Sequence, residues 1–140
     1  MMTNSLFVDT SGWMASLIAG DIYHRLAQQE MNQALRNRHV AIYTTDHVVA
    51  ELVALMVGRR IPRAQILRHV NGIRISPRVQ KLYTDSALFE EAWALLQSRA
   101  DKDWSLVDAI SICQMRRLGI TEVLTNDHHF EQAGYTRLLK

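Results

Sequence analysis

The chain has 140 residues, 48% of them apolar and 21% charged, with a formal charge of +2. That balance suits one domain able to bury its own core, and it excludes a disordered, fibrous or strongly polyionic chain. So small a net charge neither demands nor excludes nucleic acid, because phosphate binding depends on where the charge sits. Cys113 is the only cysteine, so no internal disulfide can form and a reducing, cytoplasmic setting is expected. No apolar run approaches the roughly 20 residues that span a bilayer. Met1 to Phe7 lacks the basic-then-apolar pattern of a secretory signal.

Ser5 to Val8 is a short apolar run that stops at Asp9-Thr10-Ser11, the pattern of a buried strand entering a helix cap. Helices are expected at Gly12 to Ile18 and Ile22 to Arg38, the second with Leu26, Glu30 and Ala34 on one side. Val40 to Tyr43 reads as a second strand. Thr44-Thr45-Asp46 can cap a helix from His47 to Gly58, and Pro62 can open another running to Val70. Ile73 to Ser76 is the candidate third strand. Thr84-Asp85 caps an amphipathic helix carrying Leu88, Glu91, Ala92 and Leu95 at helical spacing. Ser105 opens a helix to Leu118, which Gly119 ends. Glu122 to Thr125 is a fourth strand and Thr136 to Leu139 a possible fifth.

There is no repeat, low-complexity tract or linker, so residues 1–140 are expected to form one domain. Strands alternating with helices argue for an α/β fold with a mainly parallel sheet covered on both faces. In such sheets the functional crevice lies beyond the carboxyl ends of the strands. Asp9 and Asp127 both follow expected strands.

Four acids draw attention, each with a plainer alternative. Asp9 can be a simple helix N-cap. Glu51 has Val48 and Leu55 on its side of a helix. A carboxylate on an apolar stripe must be paired, protonated or bound to a cation; the plainer option is a contact to Arg59 or Arg60. Asp108 fits a capping box with Ser105, yet Ile112 and Met115 share its helix side. Asp127, in Thr125-Asn126-Asp127-His128-His129-Phe130, can be a turn residue.

Together the four can converge on one crevice. Packed carboxylates repel and raise one another's pKa unless a cation neutralises them. An oxygen-only ligand set favours a hard divalent ion such as Mg²⁺ or Mn²⁺. Nothing matches zinc-site spacing: His128 and His129 are adjacent, and Cys113 has no partner nearby.

Phe7-Val8-Asp9-Thr10-Ser11, the Glu51 helix, Ser105 to Ala109 and Leu124 to Phe130 resemble, in order, the successive motifs of PIN domains. The resemblance covers essentially the whole chain. The ending from Gly119 to Tyr135 is similar to that of bacterial VapC-type toxins. The resemblance implies a three-layer α/β/α fold and Mg²⁺- or Mn²⁺-dependent cleavage of RNA, leaving a 5′-phosphate. It matches Asp9, Glu51, Asp108 and Asp127 to the acidic metal site, and Thr10 or Ser11, and Thr125, to supporting hydroxyls. It also implies a cognate antitoxin and a homodimer.

Arg59, Arg60, Arg63, Arg68, Arg74 and Arg78 form a dispersed basic stretch, read either as a solvated helix face or as an RNA track. Trp104 is read as a packing residue or a base-stacking one. Met14, Met31, Met56, Met115 and Cys113 read as core filler. Two other readings compete. A Mg²⁺-dependent phosphotransfer domain would want a second Asp where Ser11 stands, or a lysine near the last strand. A non-catalytic RNA- or protein-binding module of the same fold would bind without cutting.

Overall fold

Five short strands lie side by side with helices packed against them, giving the α/β/α layering expected of alternating elements. The computed structural model describes residues 4–140; Met1 to Thr3, part of the stretch read for a leader, lie outside the described residues. In chain order the elements are β1 (Ser5–Val8), α1 (Thr10–Leu17), α2 (His24–Arg36), β2 (Ala41–Thr45), α3 (Asp46–Gly58) and α4 (Arg63–Ile75). Then come β3 (Val79–Leu82), α5 (Ser86–Ser98), α6 (Leu106–Leu118), β4 (Glu122–Leu124), α7 (His129–Gln132) and β5 (Thr136–Arg137).

The sheet order is β3-β2-β1-β4-β5, and each neighbouring pair is parallel. Phe7 stands opposite Tyr43 on one side and Val123 on the other. The chain winds outward one way from β1 through β2 to β3, then returns to start the other half at β4. The reversal falls between β1 and β4, where the connections that follow two adjacent strands part and leave a crevice.

Local chemistry explains most boundaries. Thr45 caps α3 by accepting from the Val48 amide, and Asp85 caps α5 through the Leu88 amide. Ser105 and Asp108 form the expected capping box on α6, which ends at Gly119 in the left-handed region. Phe7, Ile42, Leu52, Met56, Ile112 and Met115 are completely buried in the main core. Leu88 and Ala92 of α5 pack with Ala109, Ile110 and Cys113 of α6 in a smaller second cluster. No helix among the described residues is long and apolar enough to cross a membrane.

The third strand differs from expectation. Ile73 to Ile75 finish α4 and Ser76 is its C-cap, because Ile66, Val70 and Ile73 recur at helical spacing and all three are buried. A strand would have put Ile73 and Ile75 on one face, yet Ile75 is 78% exposed. The strand is Val79–Leu82, whose Gln80 and Lys81 hide it in the sequence; it is an edge strand, where polar residues are usual. Beside it Arg78 donates to the main-chain carbonyls of Ala34, Leu35, Asn37 and Val40, closing the end of α2 onto the start of β2. The short α7 has no counterpart among the expected elements.

One contact fixes the crevice. Gly12 in α1 lies so close to β4 that an added Cβ would sit 2.0 Å from the Leu124 carbonyl oxygen. No side chain fits there. Gly12→Ala should therefore push α1 away from β4 and cost about 1–3 kcal/mol or more, as overpacking does. Denaturant unfolding checks this; an unchanged midpoint would mean that α1 is not seated as described.

Candidate active site

Asp9 occupies the N-cap position of α1, yet its side chain makes no capping hydrogen bond. The simple cap reading fails. The residue is 4% exposed, and its Oδ2 accepts from Thr125 Oγ1 at 3.0 Å. Its Oδ1 is buried without a hydrogen-bond partner among the described residues.

A hydroxyl network surrounds this carboxylate. Thr125 has one proton and gives it to Asp9, so the 2.9 Å contact between Ser11 Oγ and Thr125 Oγ1 has Ser11 as donor. Ser11 Oγ in turn accepts from the Asn126 amide, and Thr125 Oγ1 accepts from the Asp127 amide. Thr10 Oγ1 donates to Glu51 Oε1. That hydroxyl, and not Arg59 or Arg60, is the partner of Glu51.

Asp108 satisfies both of its readings at once. Its Oδ2 accepts from the Ser105 amide at 3.0 Å, completing the capping box, while the side chain is nearly buried. The same oxygen lies 2.9 Å from His129 Nδ1. Asp127 Oδ1 accepts from the His129 amide at 3.0 Å, the turn role expected of it, and lies 3.2 Å from His129 Nδ1. One imidazole edge therefore faces two carboxylates.

All four acids line one cavity of about 320 Å³, together with Thr10, Ser11 and Ser105. Leu55, Asp103, Asn126 and His129 complete the wall. Sequence alone assigns no role to these last four. For His129 there is a signal: a histidine two residues after an acid at a strand end, in a turn tight enough to fold it back. His128 and His129 have ring centres 4.7 Å apart, and their nitrogens and an Asp127 oxygen lie within 4.8 Å of one another. Adjacency does not keep the two imidazoles apart.

Three other readings are settled by burial. Trp104 is 5% exposed, donates to Gln132 Oε1 and is covered by the Arg99 guanidinium, so its ring is not free to stack on a base. Met14, Met31, Met56 and Met115 are core residues. Cys113 is buried, and that burial pushes its thiol up to about 11, away from nucleophilic use.

The family model described as PIN domain matches residues 6–134. The chain belongs to the PIN-domain family. Over 133 residues it is 32% identical to the 23S rRNA-specific endonuclease VapC20 of Mycobacterium tuberculosis, covering 95% of this chain and 97% of that protein. The crystal structure of that organism's VapC20, described as a sarcin-ricin loop cleaving toxin, superposes with a TM-score of 0.86 at 30% identity. That match covers 96% of this chain and 99% of the other. FitAcB from Neisseria gonorrhoeae shares the fold, with a TM-score of 0.64 at 15% identity over 95% and 96% of the two chains. The resemblance to VapC-type PIN domains read from the ordered motifs is borne out.

Electrostatics in this PIN domain run against the acids. Burial pushes the Asp9 carboxyl up to about 7; the charges of Asp108 and Glu51 add to this, while the Thr10 amide and the Thr125 hydroxyl oppose it. Asp108 is raised in the same direction by burial, with Asp127 adding to it and the Ser105 amide and His129 working against it. Because the folded state holds the Asp9 proton more tightly than an unfolded chain does, metal-free stability falls as pH rises from about 4 towards 7. Asp9→Asn removes that penalty. Melts in EDTA should show the variant more stable than the parent above pH 7, by on the order of 1–4 kcal/mol, with the gap closing near about pH 4. A variant less stable than the parent at the higher pH would show that Asp9 is not held under strain.

Proposed function

We propose that this PIN domain is an endoribonuclease of the VapC kind, cutting RNA phosphodiester bonds with Mg²⁺ or Mn²⁺ held by Asp9, Glu51, Asp108 and Asp127. The observation that carries this reading is the unpartnered, buried Oδ1 of Asp9 in a cavity lined by three further carboxylates. An oxygen left bare in a protein interior is costly, and a hard cation is the partner that this donor set suits. When bound, such an ion would neutralise the cluster and lower the pKa of a coordinated water.

The chain's own side chains do the positioning. Thr125 fixes the rotation of the Asp9 carboxylate, and Thr10 fixes that of Glu51. Glu51 Oε2, like Asp9 Oδ1, Asp108 Oδ1 and Asp127 Oδ2, has no hydrogen bond among the described residues, so one of these carboxylates can accept a proton from an attacking water. His129 holds Asp108 and Asp127 in register with one another. Asp103 and Asn126 border the cavity and limit what enters. A ribosomal RNA loop is the first substrate to try, because that is what the names of the VapC20 relative describe. The protein works in the cytoplasm, as a homodimer, against a cognate antitoxin that covers the crevice.

The test is cleavage of a mixed RNA pool containing 23S rRNA, with Mn²⁺, Mg²⁺ or EDTA, and mapping of the new ends. Cuts should need the metal, carry a 5′-phosphate, and fall by roughly 100-fold or more in Asp9→Asn, at least the upper end of what losing an outer partner of a metal site costs. His129→Ala should lie within the roughly 10–100-fold range of such outer partners. Binding of RNA without cleavage under any metal would transfer the assignment to a non-catalytic RNA-binding module.

A further inference from the structure

The six arginines of the basic stretch separate into different roles. Arg78 spends its guanidinium on four main-chain carbonyls. Arg74 donates to Asn71, and Arg68 lines an apolar groove with Trp13, Met31 and Ile73. Arg59, Arg60 and Arg63 remain. They fall within five residues at the α3–α4 corner, all exposed, and none makes a side-chain hydrogen bond or ion pair among the described residues.

The corner is strained in an informative way. The Ile61 amide donates to the Met56 carbonyl and the Arg60 amide to that of Val57, which together form a Schellman closure of α3. In that closure the residue after the cap takes the left-handed conformation and is usually glycine. Here it is Arg60, at φ 59°, the one non-glycine residue with positive φ among the described residues. Gly58 stands two positions earlier, inside the helix, where no positive φ calls for it. Pro62 then fixes the chain direction into α4. A long cationic side chain thus occupies a position where glycine would be less strained, which points to use of the side chain itself.

Position relative to the cavity supplies the ligand. Glu51 and Leu55 both line it, and Arg59, the C-cap of α3, follows Leu55 by four residues, about one turn. The Arg59 amide donates to the Leu55 carbonyl, so the turn is intact. We infer that Arg59, Arg60 and Arg63 form a phosphate-gripping corner that holds the RNA backbone a few nucleotides from the acidic cavity. This deepens the nuclease reading and rests on it for the identity of the polyanion. The acidic pocket repels RNA phosphates, so binding free energy has to come from cations outside it.

The test pairs stability with salt-dependent binding. Arg60→Gly, Arg60→Lys and the double variant Arg59→Ala/Arg63→Ala are compared with the parent by thermal melting. Anisotropy of a labelled single-stranded RNA is followed in EDTA over a salt series. The expected result is a higher Tm for Arg60→Gly together with several-fold weaker RNA binding. The salt slope should shrink by about 0.7 for each phosphate that is no longer neutralised. Arg60→Lys should recover binding but not Tm.

Unchanged affinity and slope in the variants, with cleavage intact in the parent, would overturn the corner while leaving the nuclease standing. Loss of binding to polyglutamate but not to RNA would assign the arginines to an acidic protein segment and overturn it too. If the parent binds RNA through these arginines yet cuts nothing, the corner stands and the nuclease reading falls.

Discussion

The backbone of α1 rests on the Leu124 carbonyl with no side chain between them, and the acidic pocket is built from that contact outward. With Gly12 in place, the Asp9 amide reaches the Leu124 carbonyl at 3.2 Å, so β1 and β4 stay paired to their ends. The next residues on each chain then meet side by side. Thr125 finds Asp9, Ser11 finds Thr125, and the amides of Asn126 and Asp127 bond to these hydroxyls. A methyl group at residue 12 would separate the two halves of the network before any acid is considered. The switch point of the sheet thereby becomes a cavity of defined shape.

Into that cavity the fold puts groups that oppose folding. Asp9 is held where its carboxyl rises to about 7, chiefly because it is buried. The Thr10 amide and the Thr125 hydroxyl offset part of the cost, and Oδ1 itself has no hydrogen-bond partner among the described residues. A typical hydrogen bond contributes about 1 kcal/mol net, whereas leaving a buried charged oxygen unpaired costs more than that. The network therefore orients the acid but does not make it comfortable. The completely buried Phe7, Val8, Val123 and Leu124 behind it bear the load. Instability confined to one crevice, against a well-packed sheet, is what a cation site needs: the ion's binding free energy includes the relief of that repulsion.

Much of this is legible in the sequence, for reasons tied to particular residues. β1 and β4 stand out because Leu6-Phe7-Val8 and Val123-Leu124 are buried on both faces and read as unbroken apolar runs. The acids at their ends follow directly. Asp108 is ambiguous because one carboxylate can cap a helix with one edge and border a cavity, and it does both. β3 is hidden because an edge strand may be polar, and because the helical spacing of Ile66 and Val70 continues to Ile73, past the expected end of α4. Glu51's partner is hidden from local pattern because Thr10 lies 41 positions away in sequence, and only the family resemblance points to Thr10 or Ser11 as a supporting hydroxyl. His129 escapes notice when its adjacency to His128 is weighed against zinc spacing and not against the turn that aims it at two carboxylates.

The arginines show why composition alone leaves nucleic acid undecided. A net charge of +2 hides an acidic cavity and a cationic corner that do not cancel. Glu51 and Arg59 are eight positions apart, a backbone rise of about 12 Å along α3 and its cap, while the screening length at physiological salt is about 8 Å. Arg59 makes no ion pair with Glu51 or with another acid among the described residues, so it does not neutralise the carboxylates by direct contact. A cation in contact with the carboxylates would neutralise the pocket and compete with any metal that entered it. One placed much further along would not guide a polyanion into the crevice. Leu55, apolar and set between them on the same helix, keeps the two charge regions apart while belonging to the cavity wall. The helix and its cap thus carry opposite charges that stay unpaired with one another, with the apolar Leu55 between them.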